Sequence, residues 1–452
     1  MDFRFGERFD EWKKIQSKNC RIVIGARSAV FAPLSNIGII IIDEEHDDSY
    51  KSETVPKYDA KEVADYLAFQ NDIPFVLGSA TPDIKTYYEA LNGKIQLLTL
   101  KERVSKSGLP NIEIVDMREE LATGNKTVFS RKLYYAMKEA IKNKEQIMLF
   151  LNRRGYSTFV MCRDCGYVVK CEDCDVSMTY HMDENRLICH YCGRAKNVMT
   201  VCPACGKKNI RYFGSGTQKI EMEIKKYFPE ASVVRMDVDT TRVKNGHEKI
   251  LSKFRDEKID ILLGTQMISK GHDFSNVTLV GILAADSSIN IGDYRANEKT
   301  YELLTQMSGR AGRGDKKGTA IIQTYMPDEF SIEAAKEQNY TKFYNTEINL
   351  REKLNYPPFC DIIISVISGK KEEIVKSEAN RLYELLHTSF HAYMPVPAPI
   401  SKINGEYRWR ILIKEIANEE ILSEFYEKIS SFRKDQNSEI KVSVDVNPNN
   451  ML

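Results

Sequence analysis

Residues 161–206 read MCRDCGYVVKCEDCDVSMTYHMDENRLICHYCGRAKNVMTVCPACG and hold eight of the ten cysteines in a chain of 452 residues. The eight fall as four pairs: Cys162-x-x-Cys165, Cys171-x-x-Cys174, Cys189-x-x-Cys192 and Cys202-x-x-Cys205. A two-residue spacing puts both thiolates of a pair on one side of a tight loop. Two such loops complete a tetrahedral four-sulfur site with bonds of about 2.3 Å. Four pairs therefore supply the ligands for two zinc ions. Gly166, Gly193 and Gly206 each follow a second cysteine and suit a backbone that turns back toward a metal. A disulfide framework is disfavoured in a reducing cytosol, where this spacing is a metal signature. An iron–sulfur cluster is the other use of thiolates in fours. Spacing leaves open which pairs share an ion, and a nested arrangement, outer pairs together and inner pairs together, is one of three. Eight cysteines fill two sites, so His181 and His190 read as bystanders, and Cys20 and Cys360 as small buried apolar residues.

Outside this window the chain alternates strand and helix. RIVIG (Arg21–Gly25), NIGIIIIDEEH (Asn36–His46) and IPFVLGSATP (Ile73–Pro82) are short apolar runs ending in polar residues, with a helix-like segment, Ala60–Phe69, between the last two. Continuous Ile/Val runs of this length fit strands of a parallel sheet buried on both faces. Such sheets carry their functional groups just past the carboxyl ends of the strands, where Asp43, Glu44 and the Gly78–Pro82 loop fall. The pattern restarts at QIMLFLNRRGYS after Glu145, is interrupted by the cysteines, and continues through GSGTQKIEMEIKKYF, SVVRMDVDTT, IDILLGTQMISKGHDF, VTLVGILAADS and TAIIQTYMP. From about Asp328 a mixed-charge helical stretch leads to Pro357-Pro358. Beyond it, strands at Ile362–Ser368, Tyr407–Lys414 and Ile440–Val446 and helices at Glu372–Leu386 and Asn418–Phe432 predict a small α+β domain.

Composition narrows the class. With 42% apolar and 29% charged residues the chain is that of an ordinary folded protein. The longest apolar stretch, near Ile37–Ile42, is far short of the roughly 18–20 residues that span a bilayer. The charged N-terminus MDFRFGERFDEWKK lacks the apolar core of a secretory signal, so a cytoplasmic protein with no membrane partner is expected. A net charge of +1 gives no bulk attraction for nucleic acid, so any such contact rests on local patches.

Two constellations carry chemistry. Asp43-Glu44-Glu45-His46 follows an isoleucine strand, and a carboxylate at a strand end is how nucleotide motors hold Mg²⁺ while the next acid polarises the attacking water. In Gln306-Met307-Ser308-Gly309-Arg310-Ala311-Gly312-Arg313-Gly314, two guanidinium groups stand three residues apart with small residues between them. Arg310 and Arg313 suit the stabilisation of charge on a γ-phosphate, and the small spacers suit close approach to it.

DEEH, GSATP, LLGTQMISKGHDF and QMSGRAGRG, in this order, resemble the motifs of superfamily-2 helicases. With eight zinc-type cysteines between the second and third, and with ARSAVF (Ala26–Phe31), NRRGY (Asn152–Tyr156), RMDVDTT (Arg235–Thr241) and YRWRILIK (Tyr407–Lys414), the chain resembles the PriA family of replication-restart DNA helicases over essentially its whole length. The resemblance implies an α/β fold. It would have a truncated RecA-like lobe at 1–105, a second lobe at 106–330 carrying the zinc insertion at 161–206, and a small α+β DNA-binding domain at 331–452. It implies ATP and Mg²⁺ as cofactors beside two Zn²⁺. Asp43 is then the Mg²⁺-binding acid, Glu44 the catalytic acid, Arg310 and Arg313 the arginine fingers, and His46 and Gly271 further nucleotide-site residues. Tyr50 and Tyr58, in the loop Asp47–Lys61, correspond to an aromatic-rich loop that contacts DNA, and Arg408, Trp409 and Arg410 to single-strand contacts, where rings stack on bases without regard to sequence. The implied partners are DNA forks, single-stranded DNA, single-stranded-DNA-binding protein and other primosome proteins.

One departure has a physical consequence. ATP motors of this type need a GxxxxGK[ST] phosphate loop ahead of DEEH, and the 452 residues contain none. The family's N-terminal DNA-binding regions are not present either. The expectation is a C-terminal part of such a helicase: a truncated product, a misplaced start, or half of a split protein. Alone it has impaired ATP hydrolysis, and its first sheet has an unpaired edge. The other reading is a non-catalytic, zinc-dependent scaffold that binds DNA and proteins.

Overall fold

Runs of isoleucine and leucine become strands in two places, and their surroundings differ. The computed structural model describes residues 5–17, 20–100, 108–151, 159–181, 185–212, 217–241, 246–265, 268, 274–312, 316–449 and 451. The chain divides into two units, Met1–Leu97 and Leu98–Leu452. No helix among the described residues is long and apolar enough to cross a membrane.

In the first unit, α1 (Phe5–Gln16) precedes a short 3-10 turn at Arg27–Phe31, then β1 (Ile40–Asp43), α2 (Ala60–Asn71), β2 (Phe75–Gly78) and α3 (Ile84–Leu91). β1 and β2 pair in parallel, Ile40 opposite Phe75 and Asp43 opposite Gly78. Helix α2 starts where the Asp59 side chain accepts from Lys61 N, and stops at Asp72 in the left-handed region. Ala60, Ala64 and Ala68, spaced by four residues, form its buried stripe, and the helix packs on both strands. The other face of the pair is open, with Ile41 63% exposed. The strand expected at Arg21–Gly25 is not formed. The segment finds no pairing partner among the described residues, and Ile22 and Ile24 stand 77% and 93% exposed. An apolar run becomes a strand only where a neighbouring ladder accepts its backbone groups.

The second unit is built on six parallel strands in the order β10-β11-β4-β12-β13-β3. These are β3 (Asn111–Asp116), β4 (Gln146–Leu151), β10 (Val233–Met236), β11 (Ile261–Gly264), β12 (Val277–Leu283) and β13 (Thr319–Thr324). Every residue of β4, β11 and β12 is buried, as parallel strands covered on both faces require. Helices α4 (Met117–Ala122), α5 (Arg131–Lys142), α6 (Thr217–Tyr227), α7 (Val238–Thr241), α8 (Gly246–Asp256), α9 (Asp286–Ile289), α10 (Ala296–Ser308) and α11 (Phe330–Glu337) connect and cover them. On one face, Leu133 and Met137 of α5 and Ile220 and Ile224 of α6 close over Ile147, Leu149 and Leu263.

Between β4 and α6 lies the cysteine-rich module. A pair, β5 (Val160–Cys162) with β9 (Ile210–Tyr212), frames a three-stranded meander of β6 (Thr179–His181), β7 (Arg186–Ile188) and β8 (Ala195–Asn197). After α12 (Tyr340–Lys353), an antiparallel sheet β15-β16-β14-β17 comprises β14 (Asp361–Gly369), β15 (Val396–Ile403), β16 (Glu406–Glu415) and β17 (Ile440–Val446). Helices α13 (Glu372–Leu386) and α14 (Glu419–Asp435) cover one of its faces through Val375, Leu382, Phe425 and Ile429. Strand β15 was not expected, because Pro397 and Pro399 fall inside it. As an edge strand it pairs on one side only, and its register slips between Pro397 and Lys402, which is how prolines are accommodated in sheets.

Candidate metal centres and catalytic loops

The thiols gather in two groups of four. Cys162, Cys165, Cys202 and Cys205 form one, Cys171, Cys174, Cys189 and Cys192 the other, each with its Sγ atoms within 4.8 Å of one another. The nested arrangement is therefore the one adopted. Sγ–Sγ distances are 3.7 Å for Cys162–Cys205 and 3.6 Å for both Cys165–Cys202 and Cys171–Cys192. A tetrahedron with 2.3 Å bonds has edges of about 3.8 Å, whereas a disulfide holds its sulfurs about 2.05 Å apart. The donor set thus fits zinc. Burial pushes the Cys165 and Cys171 thiols up to about 12, whereas the hydrogen bond from Cys174 brings Cys189 down to about 5.

All four loops share one backbone design. In the first, Cys162 N donates to Tyr167 O at 2.9 Å and Gly166 N returns to Cys162 O at 2.8 Å. The loops of Cys189 and Cys202 repeat this with Gly193 and Gly206, and Gly166, Gly193 and Gly206 have φ of 77°, 77° and 72°. In the fourth loop Asp175 takes the same place, with φ 50° and its N–H 2.9 Å from Cys171 O. Aspartate tolerates the left-handed region better than most residues, which is why three glycines suffice for four turns.

In the first unit, Asp43 ends β1 and is exposed, as is Glu44 beside it. Glu45 points the other way. It is 1% exposed, accepts from Asp83 N at 2.7 Å, Lys61 Nζ at 3.1 Å and Thr86 Oγ1 at 3.2 Å, and burial pushes its carboxyl up against the pull of Lys61. His46 is buried, with Nδ1 2.7 Å from Ser79 Oγ, which in turn accepts from Thr81 N at 3.0 Å. Two acids thus face outward while the next two side chains knit the strand end to the GSATP loop. Tyr50 donates to Asp43 O at 2.6 Å. Tyr58 packs edge-on to Phe31 at 4.9 Å, with the Arg27 guanidinium 5.7 Å from its centroid. Both tyrosines are half-buried and brace the Asp47–Lys61 loop. The most exposed apolar side chain in that loop is Val55.

Arg310 lies half-buried just past the C-terminus of α10. Arg313, Gly271 and the NRRGY segment lie outside the described residues. The small spacers have an internal reason. Gly312 has φ 72°, donates to Val277 O at 2.9 Å, and a Cβ there would meet Gly318 N at 2.3 Å. Ala311 and Ser308 are buried. Internal packing by itself therefore accounts for a glycine at 312, and burial suits the small Ser308 and Ala311.

In β16, Arg408 is half-buried with Nη1 3.4 Å from Ile400 O, and Trp409 lies on the helix side of the sheet, where Lys376 Nζ is 5.5 Å from its ring. Arg410 corrects the expectation of a DNA contact. It is 3% exposed, with Nε 3.0 Å from His190 O and Nη1 bonded to Met451 O. The alternating Arg-Trp-Arg pattern reads equally as an exposed face or as one face docked on a neighbour, and the zinc module is that neighbour. Tyr191, Arg351 and Tyr356, all buried in the same region, and the half-buried Tyr294 beside them were not foreseen. The one available signal was an aromatic residue inside the Cys189-His190-Tyr191-Cys192 loop, where small or polar residues suffice for metal binding.

Residues 352–449 match the Primosomal protein N C-terminal domain, residues 171–196 the PriA DNA helicase Cys-rich region domain, and residues 193–315 the Helicase conserved C-terminal domain. The chain is 49% identical to the Replication restart protein PriA of Bacillus subtilis (strain 168), over 99% of this chain and 56% of that protein. Proteins of the same name from Synechocystis sp. and Chlamydia pneumoniae are 43% and 40% identical, over 90% and 89% of this chain and 51% and 55% of theirs. The chain thus spans about half the length of the curated relatives it matches. With two four-cysteine centres and a DEEH loop tied to GSATP on the same chain, it belongs to the PriA family of replication restart proteins.

Proposed function

We propose that this chain is the portion of a replication-restart helicase that holds the DEEH loop, the second motor lobe, the zinc module and the C-terminal domain. In its complete form such a protein acts in the cytoplasm and couples ATP hydrolysis to 3′-to-5′ movement on single-stranded DNA at stalled forks. The observation that carries the reading is the paired loop of the first unit. Asp43 and Glu44 are exposed at a strand end, and the 2.7 Å His46–Ser79 contact links them to the segment that follows β2. A carboxylate so placed suits a hydrated Mg²⁺, and ATP bound with that ion supplies the phosphoryl group to be transferred. Asp43 would hold the ion, Glu44 orient the attacking water, and Arg310 and Arg313 offset charge developing on the γ-phosphate. Residues 1–105, 106–330 and 331–452 serve as first lobe, second lobe and DNA-binding domain. Tyr50 and Tyr58 in the first unit, and Arg408 and Trp409 in the C-terminal domain, are the candidate DNA contacts, and single-stranded-DNA-binding protein and other primosome proteins are the partners.

Alone, the chain hydrolyses little ATP, because no GxxxxGK[ST] loop is present to cradle the β- and γ-phosphates. The two complete four-sulfur centres favour a second reading, a scaffold that binds DNA and proteins without turnover. The test is ATP hydrolysis with single-stranded DNA, measured for this chain and for a version extended N-terminally by a polypeptide carrying the phosphate loop. Background rates for the chain and DNA-stimulated turnover for the extended protein, abolished by Asp43→Asn, are expected. Turnover by the chain alone defeats the claim of incompetence. An extended protein without turnover favours the scaffold.

A further inference from the structure

We infer that the inner four-cysteine centre is the docking platform of the C-terminal domain, so that metal at Cys171, Cys174, Cys189 and Cys192 holds that domain in place and metal at the outer centre does not. The C-terminal sheet has two apolar faces. One is closed by α13 and α14. The other, through Ile362, Ile364 and Leu412, packs in one cluster with Cys171, Cys174 and Cys189.

The polar contacts at this face converge on the inner metal loops. Tyr356 Oη donates to the carbonyl of Cys174 at 3.0 Å. Arg410 Nε donates to the carbonyl of His190 at 3.0 Å, within the Cys189–Cys192 loop. His190 Nδ1 lies 3.2 Å from Pro397 O, and a Cβ on Gly193 would come within 2.7 Å of Val396 Cγ1. The same loop reaches the motor lobe, since Tyr191 Oη accepts from Tyr294 N at 3.1 Å and the Tyr294 ring stacks on Tyr356 at 5.0 Å. One metal loop therefore touches both neighbours.

The outer centre differs. Its contacts with neighbouring elements lie on the motor lobe: Arg118 Nη1 is 3.5 Å from Cys165 O, and Gly166 abuts Tyr325 O, which a Cβ would meet at 2.3 Å. Among the described residues no hydrogen bond joins the Cys162–Gly166 or Cys202–Gly206 loops to the C-terminal domain.

Zinc binding and folding are one free-energy change in small metal modules. If the inner loop loses its ion, the carbonyl of His190 is no longer held in position. Arg410 is then a buried cation short of an acceptor, an arrangement that is strongly unfavourable inside a protein. Separation of the two surfaces, which returns the guanidinium to water, relieves it.

The test uses the full 452-residue chain, with zinc content, hydrogen exchange of the segments 290–295 and 354–360, and small-angle scattering. Cys174→Ser is expected to lose one zinc, to raise exchange in both segments by about tenfold or more, and to enlarge the radius of gyration. Cys205→Ser is expected to lose one zinc with neither change. Arg410→Leu, with Tyr356→Phe, keeps all eight cysteines, so it tests the docking contacts even if Cys174→Ser does not fold. It should bind two zinc ions and still show faster exchange. Unchanged exchange in both the Cys174→Ser and the Arg410→Leu/Tyr356→Phe chains, or equal loosening by Cys205→Ser, overturns the inference.

Discussion

The strands of the two units are written in the same alphabet but sit in opposite surroundings. β1, Ile-Ile-Ile-Asp, has one parallel partner and one open face, whereas β4, Gln-Ile-Met-Leu-Phe-Leu, is flanked on both sides and buried throughout. An apolar run states a preference for burial, and the neighbours decide whether it is met. In β4 the fit is close: a Cβ on Gly281 of β12 would lie 2.7 Å from Leu149 Cδ2. In β1 the same kind of side chain, Ile41, faces outward. Stability in the second unit therefore rests on packing and metal. In the first it rests more on helix α2 and on polar ties such as Glu45–Lys61 and His46–Ser79.

The contrast can be broken in four ways. The largest effect should come from chelation. Each structural zinc is worth ~10 kcal/mol or more of folding free energy at neutral pH, so a strong chelator should unfold the module inserted in the second unit. Hydrogen exchange of α2 in the first unit should stay unchanged. Equal loss in both units would show that they are not energetically separate.

Next, Leu149→Ala should destabilise the second unit by about 3 kcal/mol, since the tight contact with β12 leaves little room for collapse, as read by denaturant unfolding. A smaller effect is expected at Asp286, which lies fully buried, accepts from Thr324 Oγ1 at 2.6 Å and Tyr325 N at 2.9 Å, and is pushed by burial up to about 6. Its folded form holds a proton that the unfolded chain has already released near pH 4. Stability should therefore fall as pH rises from about 4 to 6 and level off above. Asp286→Asn should flatten that slope, on the order of 2 kcal/mol, in unfolding curves recorded with excess zinc. The smallest effect is Ile41→Ala, which should change unfolding free energy by under about 0.5 kcal/mol. A change as large as that of Leu149→Ala would mean that the open face of β1 is covered in solution.

How much was legible follows from the same contrast. The zinc ligands were plain because the spacing of two cysteines in one loop is a local property. Their nested pairing was not, because it depends on how β5 and β9 bring the first and last loops together. β14, β16, β17, α13 and α14 were read from periodicity within a few residues. β15 was hidden by its prolines, and the extended segment at Arg21–Gly25 was mistaken for a strand because nothing local records a missing neighbour. At Arg410 the residue was found but its docking contact was not, and at Gly312 the internal packing was not foreseen. A positive side chain on a strand and a glycine beside an arginine each suggested a ligand, and each makes a contact with another part of the chain that no local pattern records.

Of the eight ligands, Cys205 alone is exposed. Oxidants and competing thiols reach accessible sulfur first, so the two centres should yield in a fixed order, the outer before the inner. Under oxidative stress the molecule would shed half its metal while its C-terminal sheet stayed seated, a graded failure in which the most reachable sulfur is the one whose loss disturbs the least.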